Sequence, residues 1–112
     1  MKNEILKYIL DIESVIQEIE EIKIKVGGNF KKFESNFILQ RAVERELEII
    51  GEAVNRLNKL NPAIQISSIP NIVALRNLII HAYDSVEAEL IWAIIQKDIP
   101  RLKEEISKIR NQ

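Results

Sequence analysis

Ile5-Leu6-Lys7-Tyr8-Ile9-Leu10-Asp11-Ile12-Glu13-Ser14-Val15-Ile16-Gln17-Glu18-Ile19 is the stretch that decides the fold. Isoleucine is β-branched and, taken residue by residue, suggests strands. Its spacing argues for a helix. Ile5, Ile9, Ile12, Ile16 and Ile19 recur at intervals of four, three, four and three, whereas a half-buried strand alternates every second residue. Leu6, Val15 and Ile22 widen this stripe. Glu4, Lys7, Asp11, Glu18 and Glu21 lie mainly outside it and read as a solvated face. The first helix is expected from about Glu4 to Lys25, with Asn3 as its cap. Gly27-Gly28-Asn29 stops it, because glycine accepts the left-handed conformation of helix ends. Tyr8 reads as a rim residue.

The same period continues outward. Asn29 to Ser35 reads as a short connector, with Phe30 and Phe33 tucked over the bundle ends. A second helix is expected from about Asn36 to Leu60, capped by Ser35. Its apolar set is Leu39, Ala42, Val43, Leu47, Ile50, Ala53, Val54, Leu57 and Leu60. Gly51 costs about 1 kcal/mol there relative to alanine, which points to close approach of another helix. Glu44, Arg45, Glu48 and Glu52 read as surface ion pairs at helical spacing. Arg45 and Glu52 have an alternative reading, as the lining of a polar groove beside Gly51 that supports a site.

Asn61-Pro62 ends the second helix. Pro70 belongs in the first turn of a third helix, where its missing amide proton is harmless, with Ser68 as cap. That helix carries Ile72, Val73, Leu75, Leu78 and Ile79 and ends near His81 to Tyr83. Asp84 with Glu87 resembles a capping box opening a fourth helix, which carries Val86, Leu90, Ile91, Ile94 and Ile95. Pro100 interrupts the continuing pattern of Leu102, Ile106 and Ile109, so a kink or restart is expected there. Trp92 reads as a packing residue at the core edge or an interface. No strand pattern, repeat or glycine-rich phosphate loop is present. The expected fold is all-α, an antiparallel bundle of four to five helices in one domain spanning residues 1–112.

The totals agree with this and narrow the chemistry. The 112 residues suit one core, and 46% hydrophobic with 29% charged is the profile of a packed soluble chain. There is no cysteine and one histidine, which argues against thiolate or multi-histidine metal sites, and no cofactor is expected. A net charge of −1 gives no bulk attraction to nucleic acid, so any such binding must be local. The charged start Met1-Lys2-Asn3-Glu4 is not a signal peptide, and no apolar run approaches a membrane span. The expected location is the cytoplasm.

Within the third helix, Ala74-Leu75-Arg76-Asn77-Leu78-Ile79-Ile80-His81-Ala82-Tyr83-Asp84 places the sole histidine and one of two tyrosines beside an arginine. Polar groups in an apolar helix are costly unless paired or exposed. An imidazole can move a proton near neutral pH, and a guanidinium can hold a phosphate through two parallel hydrogen bonds. This suits phosphodiester chemistry. The competing reading is structural: a histidine near a helix end that caps or packs, and an arginine bound to Glu52 or Asp84. At ~100° per residue, Arg76 and His81 stand about 140° apart on one helix, while Tyr83 returns nearly to the azimuth of Arg76. Arg76 and His81 converge if the helix ends between them, or if a second copy completes the site across a two-fold axis.

Arg76-Asn77, three apolar residues, His81, Ala82 and Tyr83 together resemble the signature of the HEPN superfamily, specifically its HepT-like toxins. Leu47-Glu48-Ile49-Ile50-Gly51-Glu52-Ala53 is similar to that family's second-helix segment. Ile91-Trp92 followed by Asp98-Ile99-Pro100 and Leu102 is similar to its carboxy-terminal helix. The likeness spans nearly the whole chain in order. Two places depart from it: Ser67-Ser68-Ile69-Pro70 stands where relatives often have a tryptophan beside proline, and Ala82 where glycine is frequent.

The resemblance implies a homodimer with Arg76 and His81 at the interface, and metal-independent endoribonuclease activity. His81 would be the proton carrier, Arg76 would stabilise charge on the phosphate, and Asn77 would orient the phosphate or His81. It also implies a partner, a minimal nucleotidyltransferase antitoxin that transfers AMP to Tyr83 and blocks the RNA phosphate by bulk and charge. The alternative is a noncatalytic subunit that binds nucleotide or presents the acceptor tyrosine to its transferase.

Overall fold

The computed structural model describes residues 2–67, 69–81 and 87–112; the side chains at 69, 75, 76, 79, 80 and 81 also lie outside the description. The helices are α1 (Asn3–Lys25), α2 (Phe30–Glu34), α3 (Phe37–Leu60), α4 (Ile69–His81), α5 (Ala88–Ala93) and α6 (Ile99–Arg110). A π-helical segment, Ile94–Asp98, joins α5 to α6, so that Ala88 to Arg110 forms one carboxy-terminal helix and the bundle has five. Among the described residues there is no strand. None of the described helices is long and apolar enough to cross a membrane.

The isoleucine stripe of α1 is the spine of the core. Ile5, Ile9, Ile12, Val15, Ile16, Ile19 and Ile22 are all buried, each contributing roughly 1.5–3 kcal/mol through removal from water. The helix ends where the glycines predict. Gly27 and Gly28 have φ of 60° and 66°. Gly28 N–H donates to the Lys23 carbonyl and Gly27 N–H to the Ile24 carbonyl, the paired bonds of a Schellman stop. The expected Asn3 cap is wrong: Lys2 occupies that position without a side-chain bond, and Asn3 is already helical.

Two further expectations are corrected at the next junction. The connector is itself a short helix, α2, because the Asn29 side chain accepts from Lys32 N–H and starts a turn. The cap of α3 is Asn36, whose oxygen accepts from Leu39 N–H at 3.1 Å; Ser35 instead closes α2. Phe33 is fully buried, and with Phe30 it packs against Trp92 at centroid distances of 5.1 and 5.9 Å. Trp92 thus sits at the core edge, tying α2 to α5.

α3 packs against α1 on one side and α4 on the other, and Gly51 is buried along it. Val43, Leu47, Ile50, Ala53, Val54 and Leu57 are buried as expected, while Leu60 is exposed. Pro70 stands in the first turn of α4. The predicted Ser68 cap lies outside the described residues, as do Asp84 and Val86. The capping-box reading is not supported at its described member: Glu87 takes the N-cap position itself, without a side-chain bond, and α5 begins at Ala88.

Pro100 neither breaks nor restarts the helix. The backbone widens before it, and Ile99 N–H bonds the Ile94 carbonyl, five residues back. Pro100 has no N–H to offer, so the Ile95 carbonyl loses its helical donor. Lys23 of α1 supplies one, with Nζ 3.5 Å from that oxygen. A π turn relieves the proline clash at the expense of one carbonyl, and a neighbouring helix satisfies it.

Candidate functional site

α4 carries the predicted constellation, and it is helical from Ile69 to His81 without a break. Arg76 and His81 are therefore backbone positions of one continuous helix, about 140° apart in register. Their side chains, and all of Tyr83 and Asp84, lie outside the described residues. Asn77 is described and exposed. Ala74, three residues before it, and Leu78, four residues after Ala74, are also exposed, with Leu78 at 50%. Ile72 is buried at 1% on the opposite side. The helical position of His81 is three and four residues beyond Leu78 and Asn77, in register with this outward stripe.

α4 is held at its start by the carboxy-terminal helix. Glu105 accepts from both Ser67 N–H, at 2.8 Å, and Ser67 Oγ–H, at 3.0 Å. Asp98 is buried at 5% and accepts from Asn71 Nδ2–H at 3.3 Å. The sequence named Asp98 only as part of the carboxy-terminal resemblance, without a role, and did not single out Glu105. The available signal was that Asp98 falls on the stripe of Ile91, Ile94, Ile95 and Leu102, where a charge needs a partner.

Arg45 and Glu52 do line a groove. It lies between α1 and α3, has a volume of about 510 Å³, and is walled by Lys7, Tyr8, Asp11, Arg45, Glu48 and Glu52. Within it Arg45 pairs with Glu48 at 3.5 Å, and Glu52 with Arg56 at 3.0 Å. Lys7 stands 4.8 Å from the Tyr8 ring centroid. The expected surface ion pairs are therefore present, with one correction. Glu44 is buried at 6%, and it meets Arg41 at 3.3 Å.

A second pair of acids was missed. Glu18 of α1 and Glu46 of α3 bring their carboxyl groups within hydrogen-bonding reach, and Glu46 Oε2 is buried without a donor. Burial, then the Glu18 hydrogen bond and charge, push the Glu46 carboxyl up to about 7, against a smaller opposing pull from Arg45. No group of three or more His, Cys, Asp or Glu placed to hold a metal ion occurs among the described residues.

Comparison with known proteins identifies a family over nearly the whole chain. The family model described as "Ribonuclease HepT-like" matches residues 5–109. A candidate RNase of Caldanaerobacter subterraneus subsp. tengcongensis is 38% identical over 101 residues, covering 88% of this chain and 89% of that protein. A protein of Thermococcus cleftensis named "Probable ribonuclease HepT" is 35% identical over 114 residues, covering 98% and 99%. A Methanocaldococcus jannaschii protein is 38% identical over 115 residues and covers the whole chain. The match takes up 50% of that protein, whose name joins a gamma-glutamylcyclotransferase to an RNase. No solved structure matches. The enzyme class that these relationships support is endoribonuclease, and the chain belongs to the HepT-like ribonuclease family of the HEPN superfamily.

Proposed function

We propose that this chain is the toxin of a toxin–antitoxin pair, a metal-independent endoribonuclease. Two copies of α4 meet across a two-fold axis to make its site. The observation that carries this reading is the continuity of α4 through both Arg76 and His81. An unbroken helix between them favours convergence across a second copy over convergence at a helix end within one copy. The exposed Ala74, Asn77 and Leu78 support the same reading, because they leave α4 an outward face with apolar members.

In this mechanism His81 takes the proton of a ribose 2′-hydroxyl, and that oxygen attacks the adjacent phosphorus. The bond to the 5′-oxygen breaks, and that oxygen takes up a proton from His81 of the second copy. The products are a 2′,3′-cyclic phosphate and a 5′-hydroxyl. Arg76 stabilises the charge that gathers on the phosphoryl oxygens, and Asn77 orients the phosphate or the imidazole. DNA lacks the nucleophile and resists. Arg45 and Glu52 of α3 support the site from within the same chain. Incubation of the purified protein with RNA and with DNA in EDTA tests this. RNA fragments ending in cyclic phosphate are expected; cleavage of DNA, or intact RNA, would count against it.

The control is a small nucleotidyltransferase. The Tyr83 phenol oxygen attacks the α-phosphorus of ATP, pyrophosphate leaves, and the phenol proton goes to solvent. The attached AMP then puts phosphate and bulk beside the RNA site. Intact-mass analysis after treatment with the cognate transferase, ATP and magnesium should show whole AMP units on wild type and none on Tyr83→Phe. An unchanged gain on Tyr83→Phe would move the acceptor elsewhere, with Tyr8 next to test. Acceptance of AMP by a protein that leaves RNA intact would favour the noncatalytic acceptor subunit, a reading that the net charge of −1 also suits.

A further inference from the structure

Asp98 and Glu105 lie seven residues apart, on one side of the carboxy-terminal helix. Both grip the start of α4: Glu105 through two bonds to Ser67, and Asp98 through Asn71. Asp98 closes the π segment that Pro100 forces, and Lys23 braces that segment from α1. The segment also packs directly on α4. A buried carboxylate is expensive to keep, and the neutral amide that is its side-chain partner among the described residues is a modest return for it as a packing device. Its geometry makes better sense as a clamp.

We propose that Asp98 and Glu105 are positioning residues that fix the rotation and axial placement of α4, and so set where Arg76 and His81 stand relative to their copies across the two-fold axis. This rests on the ribonuclease reading of α4. Two acids on a rigid helix define both a point and a direction at the entry of α4, which a single contact cannot do. Reactions that depend on orientation lose about a hundredfold from displacements near 1 Å, so a loosened clamp should cost turnover more than binding.

The test pairs two readouts on Glu105→Ala, Asp98→Ala and the double variant. Glu20→Gln serves as a control that removes a different acid contact to the same helix, the one with Lys103. Amide hydrogen exchange is followed without RNA. Residues 72–81 should exchange about fivefold faster in each single variant, and more in the double, while α1 and α3 keep their protection. With RNA, kcat should fall about tenfold with KM within twofold. Asp98→Asn, which keeps an oxygen facing Asn71, should restore most of both. Unchanged exchange in α4 for Glu105→Ala and Asp98→Ala would overturn the clamp. So would loss of protection spread evenly over α1, α3 and α4. If wild type leaves RNA intact, the ribonuclease reading fails, and the exchange data still judge the clamp. If Asp98→Ala does not fold, the exposed Glu105 contact decides alone.

Discussion

α1 and α4 draw on the same isoleucine and leucine, yet they divide their surfaces differently. α1 turns seven branched apolar residues inward and most of its acids and lysines toward water, with Leu10 and Ile24 left outside. On α4, Ile72 is buried, but Ala74 and Leu78 are exposed beside Asn77. The exposed pair on α1 stands apart from its buried stripe and beside no candidate site residue. What sets α4 apart is that its outward apolar residues share a register with the position of His81, which suits a second requirement on that face.

That contrast is broken most sharply at the chemistry. His81→Ala and Arg76→Ala should each cut RNA cleavage by about 10²–10⁴-fold, the usual worth of a proton carrier or its charge partner. Circular dichroism and thermal midpoint should stay near wild type, since neither residue belongs to the α1 seam. Full activity of His81→Ala in EDTA would end this mechanism.

The reverse experiment lies on α1. Ile12 is fully buried, and Ile12→Ala should destabilise the fold by about 2–5 kcal/mol in urea titration through lost transfer energy and the cavity left behind. Leu78→Asp is its counterpart on α4. With half of the side chain exposed, it should change monomer stability little, yet shift the oligomer toward monomer in sedimentation velocity, because a charge enters the proposed interface. A Leu78→Asp protein that remains dimeric with full cleavage would place the interface elsewhere.

The same contrast explains what the sequence could reveal. Helix number, the α1 stripe and the Gly27-Gly28 stop were legible, because each is set by local spacing or by one residue's backbone freedom. Caps were less so: Asn36 rather than Ser35 starts α3, Lys2 rather than Asn3 stands at the start of α1, and Asn29 starts a helix where only a connector was expected, since several polar residues near an end compete for one role. The π turn was visible only as a proline in the wrong place. Its resolution depends on Lys23, more than seventy residues away. Arg76, Asn77 and His81 could be singled out as candidates by residue type, spacing and the family resemblance. Asp98, Glu105, Glu44 and Glu46 could not, because what a charge at a core position does depends on which distant group faces it.

The smallest expected effect is at Glu46, and it returns to the α1–α3 side. Its carboxyl titrates at about 7 in the folded chain, raised from an ordinary value of 4.5 by burial and by Glu18. With both carboxyls ionised, Glu46 Oε2 has no donor; a proton held between them supplies one. Between pH 4.5 and 7 the folded state therefore binds a proton that the unfolded state has released. Unfolding releases that proton, so this pair's contribution to stability falls as pH rises through that window, and is constant above it. Glu46→Gln removes the charge and leaves an amide that can donate to Glu18. The side chain is only partly buried, and solvent screening holds the effect to a few degrees in thermal midpoint. The midpoint difference between Glu46→Gln and wild type should be near zero at pH 4.5, grow toward pH 7 and level off above it. A difference that is flat across pH, or largest in acid, would show that the two carboxyls do not share a proton.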